Sequence, residues 1–141
     1  MAHVLSAAER SAFLAEPRVA VLSIEDTTRA PLIVPIWFAW DGAAIGLWME
    51  ANSRKARLLR TAGRCSLCVQ EPTRPYRYVS LEGCVTQIAA IDWTLELMPL
   101  VRRYLDDADA ERYLAALGGP AEVAGDVYVQ IAPVRWRAEQ L

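Results

Sequence analysis

The dipeptide Asp41-Gly42 lies between two apolar runs rich in aromatic residues, Pro31 to Trp40 and Ala44 to Met49. Asp-Gly in such a setting is the strongest short-range signal for a β-hairpin, because glycine takes a positive φ at no steric cost. A third run, Val19 to Ile24, is rich in β-branched residues and precedes Pro31 to Trp40 across a turn at Asp26 to Arg29. These three segments predict an antiparallel meander. That commits the chain to a β-architecture before any other segment is considered.

The remaining segments add strands and a few helices. Ser6 followed three residues later by Glu9 is a capping box, opening a short helix that Pro17 ends. Asn52-Ser53 opens a helix over Arg54 to Ala62, with Gly63 as its left-handed terminus. Strands follow over Arg64 to Gln70 and Tyr76 to Ile88, the latter with a bulge or bend at Gly83. Asp92 to Leu117 reads as helical but broken, kinked at Pro99, divided near Asp106-Asp107 and stopped by Gly118-Gly119-Pro120. In the last strand, Asp126 to Trp136, Val127, Val129 and Ile131 share one face and Tyr128 and Gln130 the other. The fold class expected is mainly β with peripheral helices, an antiparallel barrel in one domain over residues 1–141.

Composition excludes several functions. With 54% hydrophobic and 23% charged residues the chain is globular rather than disordered. A net charge of −2 does not suit a protein that coats nucleic acid. Every apolar run is interrupted before the ~18–20 residues of a membrane helix. Met1 to Ser6 lacks the pattern of a signal peptide, so the chain reads as soluble and cytoplasmic. His3 is the only histidine, placed in a terminus expected to fray, so a catalytic triad, a histidine zinc site and a ligated haem lack their usual parts. Cys65 and Cys68 have metal or redox spacing, but in a strand residues i and i+3 face opposite ways, so they read as core residues and no metal is expected.

Among fifteen basic residues only Lys55 is lysine. It lies in Asn52-Ser53-Arg54-Lys55-Ala56-Arg57, where Arg54, Lys55 and Arg57 occupy the first turn of the predicted helix. Cations are unfavourable there, since the helix N-terminus already carries about half a positive charge. Free backbone N–H groups, a hydroxyl, a guanidinium and an ammonium together form a cradle for a phosphate. A solvated basic face explains the same residues equally well. The strands expected beside this cradle carry Trp37, Phe38, Trp40 and Trp48, and Tyr76 and Tyr78 open a later one; such rings wall a planar heterocycle or simply pack a barrel.

Three segments in order, Leu32-Ile33-Val34-Pro35-Ile36-Trp37-Phe38, Trp48-Met49-Glu50-Ala51-Asn52-Ser53-Arg54-Lys55 and Tyr76-Arg77-Tyr78-Val79-Ser80-Leu81-Glu82-Gly83, resemble the split β-barrel family of pyridoxamine-phosphate-oxidase-like flavin and deazaflavin proteins. The resemblance covers Phe13 to Ile88, with an echo at Val134-Arg135-Trp136. It implies an FMN-binding-like split barrel, a homodimer, and two cofactor sites at the dimer interface. It assigns Ser53, Arg54 and Lys55 to the cofactor phosphate, with Arg57 adding charge. It lays the ring system along the backbone of Val34, Pro35, Ile36 and Trp37, and the ribityl chain beside Trp48 and Met49. Tyr78 falls where the oxidases carry a cofactor-contacting Gln, and Trp136 matches an aromatic near the ring.

The C-terminus, Trp136-Arg137-Ala138-Glu139-Gln140-Leu141, lacks the Arg-Leu-His-Asp-Arg pattern that grips substrate phosphate in the true oxidases, which argues against vitamin B6 oxidation. The Pro35-Ile36-Trp37-Phe38 and Ser53-Arg54-Lys55-Ala56-Arg57 segments are closer to the branch using the deazaflavin coenzyme F-420. Arg54, Lys55, Arg57 and Arg60 suit its polyanionic tail, with FMN as the alternative. The expectation is an oxidoreductase moving hydride between this cofactor and a small unsaturated molecule. The alternative is a non-catalytic carrier or sensor of a flavin, deazaflavin or tetrapyrrole. No catalytic residue is assigned; Glu50, Arg77 and Tyr78 are proton donors by expected position only, and solvent serves equally.

Overall fold

The computed structural model describes residues 2–141. Local chemistry places the helix ends where the sequence predicts them. In α1 (Ala7–Ala15) the Ser6 Oγ accepts the Glu9 N–H at 3.1 Å, and Glu9 Oε1 accepts the Ser6 N–H at 3.0 Å. In α2 (Arg54–Ala62) the Ser53 Oγ accepts the Ala56 N–H at 3.2 Å, and Gly63 closes the last turn. The broken helical stretch resolves into a π-helical turn (Trp93–Leu97), α3 (Met98–Tyr104) and α4 (Asp107–Leu117). Pro99 sits in the first turn of α3, where its missing N–H costs nothing, so it marks a start and not a kink.

The strands are β1 (His3–Val4), β2 (Ala20–Ile24), β3 (Leu32–Ile36), β4 (Ala39–Trp40), β5 (Ile45–Glu50), β6 (Arg64–Gln70), β7 (Arg77–Ala90) and β8 (Asp126–Gln140). They form one antiparallel sheet in the order β3-β2-β6-β7-β8-β5-β4, with β1 added against the end of β8. His3 therefore lies in a paired strand opposite Gln140, not in a frayed end. The register shifts between Glu82 and Gly83, at the bulge expected there.

The simple meander is not what forms. β2 pairs with β3 and β4 with β5, yet β3 and β4, consecutive in sequence, lie at opposite ends of the strand order. The run Pro31 to Trp40 is broken after Ile36 and resumes at Ala39. The cause is Phe38, whose ring is fully buried and whose N–H donates to the Tyr104 hydroxyl at 3.1 Å instead of to a strand. Two margins of one curled sheet are thus joined by a two-residue step, which is a split barrel. The hairpin at Asp41-Gly42 also differs in length: Trp40 faces Ile45, so four residues turn. Asp41 Oδ1 accepts the N–H groups of Ala43 and Ala44 at 2.8 and 2.7 Å, and Gly42 takes φ +95°.

Two apolar clusters result. One fills the barrel with Phe13, Leu14, Leu22, Phe38, Leu47, Leu67, Leu81, Val129 and Ile131 among others. The second, Leu97, Val101, Ala110, Leu114 and Val123, lies under the helices and carries Trp37, Trp48 and Tyr113 at its margin. Cys65 faces the barrel core and Cys68 the opposite side, as the strand period requires. Burial, with Cys84 nearby, pushes the Cys65 thiol up to about 12, so it holds its proton at neutral pH. No described helix is long and apolar enough to cross a membrane.

Candidate functional site

The end of β5 and the start of α2 meet α4 and the start of β8 around a cavity of about 640 Å³. Trp48, Met49, Ser53 and Lys55, four of the residues expected at the cofactor, line it together with Tyr113, Glu50 and Asp126. Trp48 is fixed there because its Nε1–H donates to Asp126 Oδ2 at 2.8 Å. The Tyr113 ring meets Trp48 edge-on at 6.5 Å, and burial pushes its hydroxyl pKa up, so the phenol stays protonated.

The three cradle residues are not equivalent. Ser53 Oγ is occupied by the cap, donating to Glu50 O at 2.7 Å while accepting from Ala56. Arg54 already has an anion: its guanidinium donates to Asp26 Oδ2 at 2.8 Å. That contact, joined by hydrogen bonds from the Thr28 backbone and hydroxyl, holds the Asp26 carboxyl well below the usual carboxylate range. Lys55 makes no ion pair among the described residues and faces the cavity. Arg57 is exposed on the helix, and Arg60 donates to Ala51 O at 2.7 Å. Of these cations, the one that lines the cavity without an ion pair among the described residues is the lysine.

The aromatic residues separate into two groups. Trp37 leaves the strand and stacks flat on Tyr104, ring centroids 4.9 Å apart and planes 4° from parallel. It also approaches Tyr113 at 5.5 Å, which joins it to the cavity wall. Phe38 turns into the barrel and is not beside the cradle. Trp40 instead meets Trp136 edge-on at 6.2 Å, under the Arg10 guanidinium 4.2 Å from the Trp136 ring. Trp40 and Trp136 therefore line a different hollow, with Ser11 and Pro133.

Val34 and Ile36 pack against the barrel core, while Pro35 lies exposed on the outer face. Tyr78 pairs with Glu139, whereas Glu50 pairs with Asp126 at the other end of the same strand. At ~3.3 Å per residue, the thirteen residue steps from Asp126 to Glu139 span up to about 40 Å of β8. Within one chain, Tyr78 and Trp136 are not brought to the cradle. Arg77 contacts Glu71 at 3.5 Å and lies over the Phe13 ring, also far from Lys55. Of the proton-donor candidates only Glu50 lines the cavity.

Sequence reasoning missed Asp26, Tyr104, Tyr113 and Asp126. Asp26 sits in a turn and Asp126 opens the predicted last strand, and neither position carries a local signal that it will meet a distant Arg54 or Trp48. The two tyrosines lie in the helical stretch whose docking face no short-range pattern specifies.

A family profile described as pyridoxamine 5'-phosphate oxidase matches residues 6–139. Among solved structures, the chain is similar to an F-420 reductase with a TM-score of 0.73 and 23% identity, over 89% of this chain and 94% of that one. It is similar to a conserved hypothetical protein of Mycobacterium tuberculosis with a TM-score of 0.73 and 25% identity, over 97% and 86%. An FAD and heme binding protein of Mycobacterium smegmatis aligns with a TM-score of 0.72 and 17% identity, over 99% and 72%. No curated protein matches the chain.

Proposed function

The chain belongs to the pyridoxamine 5'-phosphate oxidase family, and on that premise we propose that it is an oxidoreductase that binds coenzyme F-420, or FMN as the alternative, and exchanges hydride with a small unsaturated organic molecule. The observation that carries this reading is Lys55: an ammonium without an ion pair, at a helix N-terminus that disfavours it, facing a cavity walled by Trp48. An anionic group seated there relieves the unfavourable placement and meets the first N–H groups of α2. The residues fit a flavin-type cofactor. Lys55, Arg54 and Ser53 would hold its phosphate, Trp48 and Met49 the chain that follows, and the segment Val34 to Trp37 its ring system. When bound, the cofactor supplies the hydride chemistry; the protein orients the reactants and excludes water.

The same reading includes a homodimer. On the outer face of the sheet, Pro35, Val21, Cys68 and Ser80 form one cross-strand row, and Ile33, Ser23, Ser66 and Glu82 a second. Ile33 is 70% and Val21 40% exposed, and the two rows run out to charged residues, Arg137 and the Glu82–Arg135 pair, at their β7–β8 margin. A second copy covering this face removes that apolar surface from water, and a stable interface of this kind buries on the order of 2,000 Å². Tyr78 and Trp136, remote from their own cradle, would then serve the partner's. Monomers in sedimentation at micromolar concentration would remove both the dimer and the shared site.

The test is titration of the tryptophan fluorescence with coenzyme F-420 and with FMN. Lys55→Ala should weaken binding by roughly ten- to a hundredfold, the worth of one charge-assisted contact, while leaving the apo fold intact or slightly more stable. Arg54→Ala should act in the same direction and also lower apo stability, because it breaks the contact with Asp26. Equal affinities for wild type and Lys55→Ala would overturn the cradle. Turnover of reduced coenzyme with enones and quinones separates an enzyme from a carrier.

A further inference from the structure

We propose that Tyr104 is a positioning residue for the cofactor ring: from α3 it fixes the break between β3 and β4 and so sets the orientation of Trp37. The inference rests on the reading of the site given above, in which the ring lies along the segment ending at Trp37. Its own basis is geometric. A two-residue step between the margins of a sheet leaves backbone groups that no neighbouring strand can pair, and these must find other partners or draw the chain back into a ladder. The Tyr104 hydroxyl supplies those partners. It accepts the Phe38 N–H at 3.1 Å and donates to Arg18 O at 2.7 Å, with Phe38 O also within 3.2 Å. Arg18 leads into β2, the strand that pairs with β3, so one oxygen ties the break to the strand beside it.

The ring of the same residue acts on Trp37. Its stack on the indole, nearly parallel at 4.9 Å, leaves Trp37 little rotational choice. Trp37 in turn touches Tyr113, and Tyr113 meets Trp48, the wall shared with Lys55. A shift at Tyr104 therefore reaches the cavity through two aromatic contacts. Arg103, the residue before it, holds α3 in place by donating to Leu14 O, Ala15 O and Glu16 O. The phosphate end of the site, by contrast, is built from α2 and β5 and has no bond to Tyr104.

This separation gives the test its selectivity. Tyr104→Phe keeps the stack and removes the hydroxyl. In the chain as a whole, its affinity for FMN and coenzyme F-420 should fall by roughly tenfold, the effect of losing the part-buried hydrogen bonds to Phe38 and Arg18 expressed at the ring. Affinity for inorganic pyrophosphate, a probe of the cradle without a ring, should stay within about twofold of wild type by calorimetry. Trp37→Leu, which removes the indole that Tyr104 orients and leaves the Tyr104 hydroxyl in place, should likewise weaken the ring-bearing ligands and spare pyrophosphate, and serves also if Tyr104→Phe folds poorly. Unchanged affinity for the ring-bearing ligands, or an equal loss for pyrophosphate, overturns the positioning role. Wild-type protein that binds pyrophosphate but neither cofactor overturns the functional reading itself, and the positioning role with it.

Discussion

Arg103 carries a structural load that can be measured in isolation from any ligand. Its guanidinium crosses from α3 to the end of α1 and donates to three successive carbonyls, Leu14 O at 2.7 Å, Ala15 O at 3.1 Å and Glu16 O at 3.0 Å. The last turn of α1 has no basic residue of its own, so this cation from elsewhere in the chain complements the helix dipole. Arg103→Met keeps most of the apolar stem and removes the charge and all three bonds. The bond to Leu14 is part-buried and counts in full, about 1.5–3 kcal/mol for a charge-assisted contact. Water replaces the two exposed bonds, and the dipole contribution adds ~0.3–1 kcal/mol. Removal of the Arg103 Nε–H, buried without a partner, returns about 1 kcal/mol. The net loss is ~1–3 kcal/mol, or roughly 3–9 °C at about 3 °C per kcal/mol for a chain of this length. Thermal unfolding followed by near-ultraviolet circular dichroism reads this directly, and amide exchange should loosen first in α1. Arg103→Lys should lose about half as much, since an ammonium reaches fewer carbonyls from that position. A melting temperature for Arg103→Met within about 1 °C of wild type would refute the clamp.

Two further outcomes follow from close contacts in the sheet and the cradle. A Cβ at Gly46 would stand 1.7 Å from Tyr128 Oη and 2.2 Å from its Cζ, so Gly46→Ala must displace the ring and should cost on the order of 1–3 kcal/mol in a urea titration. In a Tyr128→Ala background the obstacle is gone, so additive losses would refute this contact as the cause. At Asp26 the contact with Arg54 lowers the folded-state pKa below its unfolded value near ~4, so its stabilisation is complete above that pH and is lost as pH falls through the folded value. Asp26→Asn should therefore flatten the acid limb of a melting-temperature profile below about pH 4, and an unchanged limb would remove Asp26 from acid unfolding.

Where the sequence was informative, the responsible interactions are short in range. The Ser6–Glu9 box, the Ser53 cap, the bounds of α2 and β6, the bulge at Gly83 and the inward row Val127, Val129, Ile131 all depend on neighbours within a few residues or on the two-residue strand period. Those signals also placed Ser53 and Lys55 together at a helix start, and the structure keeps them there beside Trp48.

The tertiary structure decided what depended on partners far along the chain. Pro31 to Trp40 has the composition of one strand, and only the arrival of Tyr104, sixty-six residues beyond Phe38, divides it. Arg54 and Lys55 are adjacent cations in the sequence, but Asp26 from a distant turn takes one and leaves the other. Trp40 and Trp48 sit in the two arms of one hairpin, yet short β4 pairs only next to the turn and the rings diverge, one to Trp136 and one to Asp126. Local pattern determines which elements exist and which way their faces point, because backbone geometry and capping act over a turn or two. Which ring stacks, which charge is neutralised and where a strand must break are settled by elements that meet only when the sheet closes.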